Sequence, residues 1–230
     1  MSSFSIFDSI TSCFYGQLGN LLKWRLCPLP DWNAKNSAPM IPNDESNSFK
    51  ISVIGETLVG STSICKRFIH DEINQDIVSS MGPDCWNKSV QVDRETVNLQ
   101  IWNIRGFGYS VGKDISLELD WKPIKQYVCK RAHVVILVFD VTSSKTFLNL
   151  KKYLEYLDLD TNVMRILVGN KIDLREKKVV SSEEARTFAE NNDMRYFETS
   201  ALKSLNINEM FEIIAKGLIK RKHMDNPYIK

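Results

Sequence analysis

Phe49-Lys50-Ile51-Ser52-Val53-Ile54-Gly55-Glu56-Thr57-Leu58-Val59-Gly60-Ser61-Thr62 is an apolar, strand-like run that empties into a glycine-spaced turn. The turn has the frame of a phosphate-binding loop, G-x-x-x-x-G-K-[ST]. In that motif backbone N–H groups point at phosphate oxygens, a lysine holds the outer phosphates and a hydroxyl ligates Mg²⁺. Gly55, Gly60 and Thr62 fit the frame, but Ser61 stands at the lysine position. A seryl hydroxyl donates a hydrogen bond yet brings no charge to set against several phosphate charges, so strong phosphate binding is not expected. Alone, the stretch is equally compatible with an ordinary glycine turn, and the residues downstream decide between the two.

From Phe49 onward, strand-like and helix-like segments alternate, the pattern of a mostly parallel sheet with helices on both faces. A first strand over 49–54 feeds the glycine turn, and Thr62 to Ile69 reads as the opening helix. Two alternating runs, Trp86 to Val92 and Val97 to Asn103, flank Asp93-Arg94-Glu95 as a hairpin. The continuous apolar run Val134 to Phe139 predicts a strand buried on both faces, and Arg165 to Val168 predicts another. Helices are expected near 144–157, 182–192 and 205–221. Ligands of such sheets bind outside the carboxyl ends of the strands.

The bulk properties narrow the field. A chain of 230 residues with 43% apolar and 25% charged residues buries the core of one α/β domain and carries an extra segment. A net charge of +2 and the absence of Lys/Arg runs argue against a nucleic-acid partner. Five cysteines, odd in number and free of C-x-x-C spacing, fit thiols in a reducing compartment, and the expected location is intracellular, cytoplasmic or attached to an organelle or large complex. No run approaches the ~18 apolar residues of a membrane span, and the start lacks a secretory leader pattern, so a soluble, non-secreted chain is expected.

Residues 1–47 differ in composition from the rest and are read as an N-terminal extension. Phe4, Phe7, Ile10, Phe14, Leu18 and Leu21 recur at helical spacing, predicting an amphipathic helix interrupted at Gly16 and Gly19. Pro28, Pro30, Pro39 and Pro42 then mark an irregular linker. Two readings stand open: the apolar face packs back on the domain or is a dispensable leader, or it docks to a partner protein or a membrane surface.

The segments after two of the later strands carry the most specific signal. Val168-Gly169-Asn170-Lys171-Ile172-Asp173-Leu174 follows one strand, and Glu198-Thr199-Ser200-Ala201-Leu202 follows the last, thirty residues from Asn170 to Ser200. Together with the glycine turn they resemble the small GTPases, and within them the Rab family. Asn98-Leu99-Gln100-Ile101-Trp102 and Leu137-Val138-Phe139-Asp140-Val141-Thr142 keep the same likeness, which covers about residues 49–221. The resemblance implies a three-layer α/β P-loop fold with a mostly parallel six-stranded sheet and one antiparallel edge strand. The implied domain spans 48–222, followed by a short tail at 223–230. The implied ligands are guanine nucleotide, GDP or GTP, and Mg²⁺. The implied nucleotide-binding set is Gly55, Gly60, Ser61, Thr62, Asn170, Lys171, Asp173, Ser200, Ala201 and Leu202. In the family the N-K-x-D aspartate accepts from guanine N1–H and N2–H, the lysine stem lies over the ring, and the S-A turn donates a backbone N–H to O6.

The departures from the family fall on the phosphate side. Where the family has D-T-A-G-Q-E, this chain has Asn103-Ile104-Arg105-Gly106-Phe107-Gly108, so the Mg²⁺-steadying carboxylate becomes an amide and the water-orienting glutamine becomes an apolar ring. Ser80, nineteen residues beyond Ser61, keeps a hydroxyl at the family's switch-threonine interval and is, with Thr62, the implied Mg²⁺ ligand. Gly82-Pro83-Asp84-Cys85 replaces G-V-D-F, and Leu58 adds bulk to the loop. Between Gly108 and Arg131 lies an insertion of roughly ten residues, covering 108–120, of a length that is usually functional or disordered. The C-terminus has no cysteine to prenylate, so the family's membrane anchor is not expected.

Three readings follow from this pattern. The favoured one is a Rab-like pseudo-GTPase, without catalytic residues, that serves as a protein-interaction or structural subunit, docking other proteins or a large assembly through residues 1–47 and 108–120. The alternatives are a divergent working GTP-binding switch in membrane traffic, and a chain that holds guanine nucleotide permanently without turnover. Deleting residues 1–47 is expected to leave a folded domain while abolishing co-purification with the native assembly. Thermal unfolding and pull-down of the truncated chain check both halves, and retained association would refute the docking role.

Overall fold

The computed structural model describes residues 47–72, 84–104, 129, 131–157 and 159–225. The expectations placed on residues 1–46, Ser80, Phe107, the 108–120 insertion and the last tail residues lie outside the described residues. All described residues belong to one compact unit, Ile41–Lys230.

The described segments build a six-stranded sheet in the order β2-β3-β1-β4-β5-β6. The strands are β1 (Ser48–Gly55), β2 (Asp84–Val92), β3 (Glu95–Ile104), β4 (Val134–Asp140), β5 (Met164–Asn170) and β6 (Arg195–Thr199). Only the β2–β3 pairing is antiparallel, Asp84 opposite Asn103 through Val92 opposite Glu95. The pairs β1–β3, β1–β4, β4–β5 and β5–β6 are parallel. The expected mostly parallel sheet with one antiparallel edge strand is therefore the observed one. The hairpin is tighter than expected, because Glu95 already pairs with Val92 and the turn is Asp93-Arg94, with Asp93 at φ 53°.

Helices cover both faces. They are α1 (Ser61–His70), α2 (Ser144–Leu148), α3 (Leu150–Leu157), α4 (Ser182–Asn191) and α5 (Ile207–Asp225). Alternate residues of β1 face opposite ways: Ile51 and Val53 join Ile64, Phe68, Phe211 and Ile214 of α1 and α5, whereas Ile54 joins Phe147, Leu150 and Tyr153 of α2 and α3. Every residue of β4 is buried, which is why Val134 to Asp140 reads as an unbroken apolar run with one charge at its end.

Two helix boundaries differ from expectation. The segment expected as one helix over 144–157 is two, joined at Asn149, and Asn149 Nδ2 donates to Glu56 Oε1 at 2.5 Å. The last helix continues to Asp225, into the stretch expected as tail. Helix α4 begins where its capping signal lies, Ser181 Oγ accepting from Glu184 N at 3.1 Å.

Gly60, the N-cap of α1, has φ 91°, and a Cβ there would run into Asn170 Nδ2. A Gly60→Ala substitution is therefore expected to destabilise the domain by about 2 kcal/mol, combining left-handed strain with a clash against a buried amide. Urea unfolding of the variant checks this, and a loss near zero would mean the loop moves aside freely.

Candidate functional site

Three chain turns meet at the carboxyl ends of β1, β5 and β6. The first is the turn from Gly55 to Gly60 into α1. Gly55 is packed close, since a Cβ there would lie 2.7 Å from Val59 Cγ2 and 2.9 Å from the Val138 carbonyl oxygen. No side chain caps the N-terminus of α1, and its first turn holds no acidic residue. Its leading N–H groups therefore form a weakly positive end of the kind that receives anions. Ser61 is buried at 5% exposure. Leu58 adopts φ 69°, a strained conformation for a branched side chain, and its side chain is 72% exposed, so its bulk lies on the outer surface of the loop.

The second and third turns, Asn170 to Asp173 and Ser200 to Leu202, are joined to the first by Asn170. Its Nδ2 donates to the Val59 carbonyl at 2.9 Å. Its Oδ1 accepts from Ala201 N at 3.2 Å and from Thr199 Oγ1 at 3.2 Å. At 2% exposure this amide works inside the protein, holding the glycine turn against the S-A turn. Arg67 of α1 adds a second tie, donating from Nε to the Ala201 carbonyl at 3.1 Å.

Asp173 is half-buried and is oriented by Ser200, whose Oγ donates to Oδ1 and accepts from Lys203 N at 3.0 Å. Its Oδ2 makes no hydrogen bond among the described residues and remains an acceptor. Lys171, at φ 69°, places Nζ 2.6 Å from Asp140 Oδ2. The other oxygen of Asp140 accepts from Thr142 N at 2.8 Å and Thr142 Oγ1 at 2.7 Å, so the aspartate is held rigidly before it meets the lysine. Leu202 is 59% exposed at the rim.

Beneath the S-A turn, Glu198 Oε1 accepts from Ser182 Oγ at 2.6 Å, Lys178 Nζ at 2.9 Å and Tyr196 OH at 2.9 Å. Burial alone would raise this carboxyl, but the three donors outweigh burial and hold it below the usual carboxylate range. Burial and the adjoining Glu198 charge push the Tyr196 phenol up, keeping it a donor.

At the foot of α1, Asn103 of β3 is fully buried and donates from Nδ2 to Thr62 Oγ1 at 2.9 Å. The turn between Gly55 and Gly60 carries a carboxylate, Glu56, directed at Asn149, and no cation.

The structure thus brings together Gly55, Gly60, Ser61, Thr62, Asn170, Lys171, Asp173, Ser200, Ala201 and Leu202, while Ser80 lies outside the described residues. Sequence reasoning assigned no part to Asp140, Thr142, Glu56, Asn149 or Arg67. The available signal for Asp140 was a lone charge closing an otherwise apolar, fully buried strand. The Asn149 partner of Glu56 and the Ala201 partner of Arg67 lie too far along the chain for any spacing rule to join them.

A model of the Ras family matches residues 50–220. The chain is similar to GTP-binding protein YPT1 of Saccharomyces cerevisiae, 33% identical over 180 residues, covering 77% of this chain and 82% of that protein. It is also similar to Ras-related protein Rab-1 of Theileria parva, 36% identical over 173 residues, covering 74% of each.

Asn170→Ala is expected to cost about 3 kcal/mol of stability, because it leaves the Val59 carbonyl and the Ala201 N–H buried without their partner. Chemical denaturation measures the loss, and a cost under about 1 kcal/mol would show that water replaces the amide.

Proposed function

The chain belongs to the Ras family and is a Rab-like small GTPase homologue, and we propose that it is a catalytically impaired member, a pseudo-GTPase that reads guanine and serves other proteins as a binding module. One observation supports this reading: the turns at Asn170–Asp173 and Ser200–Ala201 are hydrogen-bonded to one another, while the glycine turn has no side-chain cation among the described residues. Ser61 stands buried at the lysine position and Glu56 adds a carboxylate to the same turn. Lys171, the cation on the neighbouring turn, is already paired with Asp140 at 2.6 Å and would have to leave that partner to serve the phosphates.

On the base side the residues fit a guanine. In this reading Asp173, fixed by Ser200, accepts from the base N1–H and N2–H, the Lys171 stem covers the ring, and the S-A turn at Ala201 faces O6. Asn170 keeps these turns in register. On the phosphate side the backbone N–H groups of the turn and the open N-terminus of α1 are what remain to meet a phosphate. They bind by dipole and hydrogen bond, with none of the charge that stabilises phosphoryl transfer. The partners are other proteins, met through the N-terminal extension and the 108–120 insertion. No helix among the described residues is long and apolar enough to cross a membrane.

The second reading is a working GTP-binding switch. It draws support from the assembled Asn170–Asp173–Ser200 geometry and from relatives whose names describe GTP-binding and Rab proteins. A single experiment separates the two. Fluorescent GDP, GTP and ATP analogues are titrated into the purified full chain, and hydrolysis of bound GTP is followed in single turnover. The expected result is weak, guanine-selective binding with no hydrolysis above a buffer blank. Hydrolysis at or above the family's slow intrinsic rate, ~10⁻⁴ s⁻¹ in order of magnitude, would establish the switch instead. Equal affinity for adenine and guanine would remove Asp173 as a base reader.

A further inference from the structure

We infer that this chain binds its guanine nucleotide without a divalent cation. The inference rests on the guanine reading above and concerns the opposite end of the ligand. Mg²⁺ demands near-octahedral oxygen ligands and is ordinarily held beside nucleotide by one or two carboxylates together with the phosphates. At the foot of α1 the side chains in that position, among the described residues, are Thr62 and Asn103, Ser80 lying outside them. Asn103 is 0% exposed and neutral, and its Nδ2 donates to Thr62 Oγ1 at 2.9 Å. One lone pair of the hydroxyl is thereby taken, and a cation seated on the other would face the positive hydrogens of the amide. Asn103 Oδ1 is buried with no hydrogen-bond partner. Turning the amide over exchanges the two ends but leaves the NH₂ group orphaned instead, so neither orientation supplies an anion. Asp84, opposite Asn103 in the β2–β3 register, is a half-buried carboxylate already engaged in an interaction of its own.

The two family substitutions are complementary in charge. Ser61 removes one cation and Asn103 removes one anion, so the two exchanges cancel in formal charge, while among the described residues no carboxylate replaces the one lost beside Thr62. A bare buried lysine or a bare buried aspartate would each be costly, whereas the neutral pair is not. Among the described residues, the phosphates are then met by backbone N–H groups and the Ser61 hydroxyl, and the affinity carries no Mg²⁺ contribution.

The test is equilibrium binding of fluorescent GDP to the purified full chain in millimolar MgCl₂ and in excess EDTA, with thermal shift as a second readout. Changes around a metal site ordinarily move metal affinity by 10–100-fold, so the expected agreement within about twofold is readily distinguished from a metal-dependent site. Weakening by about tenfold or more on chelation would overturn the inference and leave the guanine reading standing. No guanine-nucleotide binding in either buffer would overturn both. Asn103→Asp should create the missing dependence, with Mg²⁺ tightening GDP by about tenfold in that variant. If Asn103→Asp fails to fold, the comparison on the unmodified chain decides alone.

Discussion

The amide of Asn170 is the constraint on which the site depends. Three turns from distant parts of the chain end near one another because β1, β4, β5 and β6 run parallel, but parallel strands only bring their ends to the same edge. What sets their spacing is a buried side chain that spends its hydrogen bonds on Val59, Thr199 and Ala201. Gly60 is a corollary of that arrangement, since no side chain fits between its backbone and the Asn170 amide. A buried amide with all these partners is stabilising, whereas the same amide with a partner removed is costly, so the network constrains the neighbouring residues as a unit.

Around this brace the site divides by charge. On one side, Asp173 is aimed by Ser200 and Lys171 is aimed by Asp140, which is itself fixed by Thr142. On the other, Ser61 and Glu56 leave the glycine turn with backbone dipoles, a hydroxyl and a carboxylate where the general phosphate-loop motif has a lysine. Base recognition and phosphate chemistry need different physics. A base is read by directed hydrogen bonds, which survive in a neutral environment, while phosphoryl transfer needs preorganised charge. The core residues beneath these turns, Ile51, Val53, Ile136 and Val138, belong to none of them, so changes in the turns leave the packing of the sheet intact.

Much of this was legible in the sequence. The unbroken apolar run of β4, the alternation of the β2–β3 hairpin and the glycine frame after β1 each report a local constraint of period, burial or backbone freedom, and such constraints are written within a few residues. The N-K-x-D and S-A stretches likewise pointed to the ends of β5 and β6, which the structure sets beside the glycine turn. The break at Asn149 was not legible, nor was the bond that joins Asn149 to Glu56 in the glycine turn.

What the sequence determined, then, is the sheet, its edge hairpin and the identity of the residues at the carboxyl ends, because strand period and turn chemistry are short-range. What only the tertiary structure decided is the work each of those residues does. Asn170 is a brace, Lys171 is paired with Asp140, the Leu58 side chain points to solvent and Asn103 turns its amide to Thr62. These are matters of which polar atom lies within hydrogen-bond reach across tens of residues of chain, and no pattern along the chain encodes a distance between side chains until the strands have aligned.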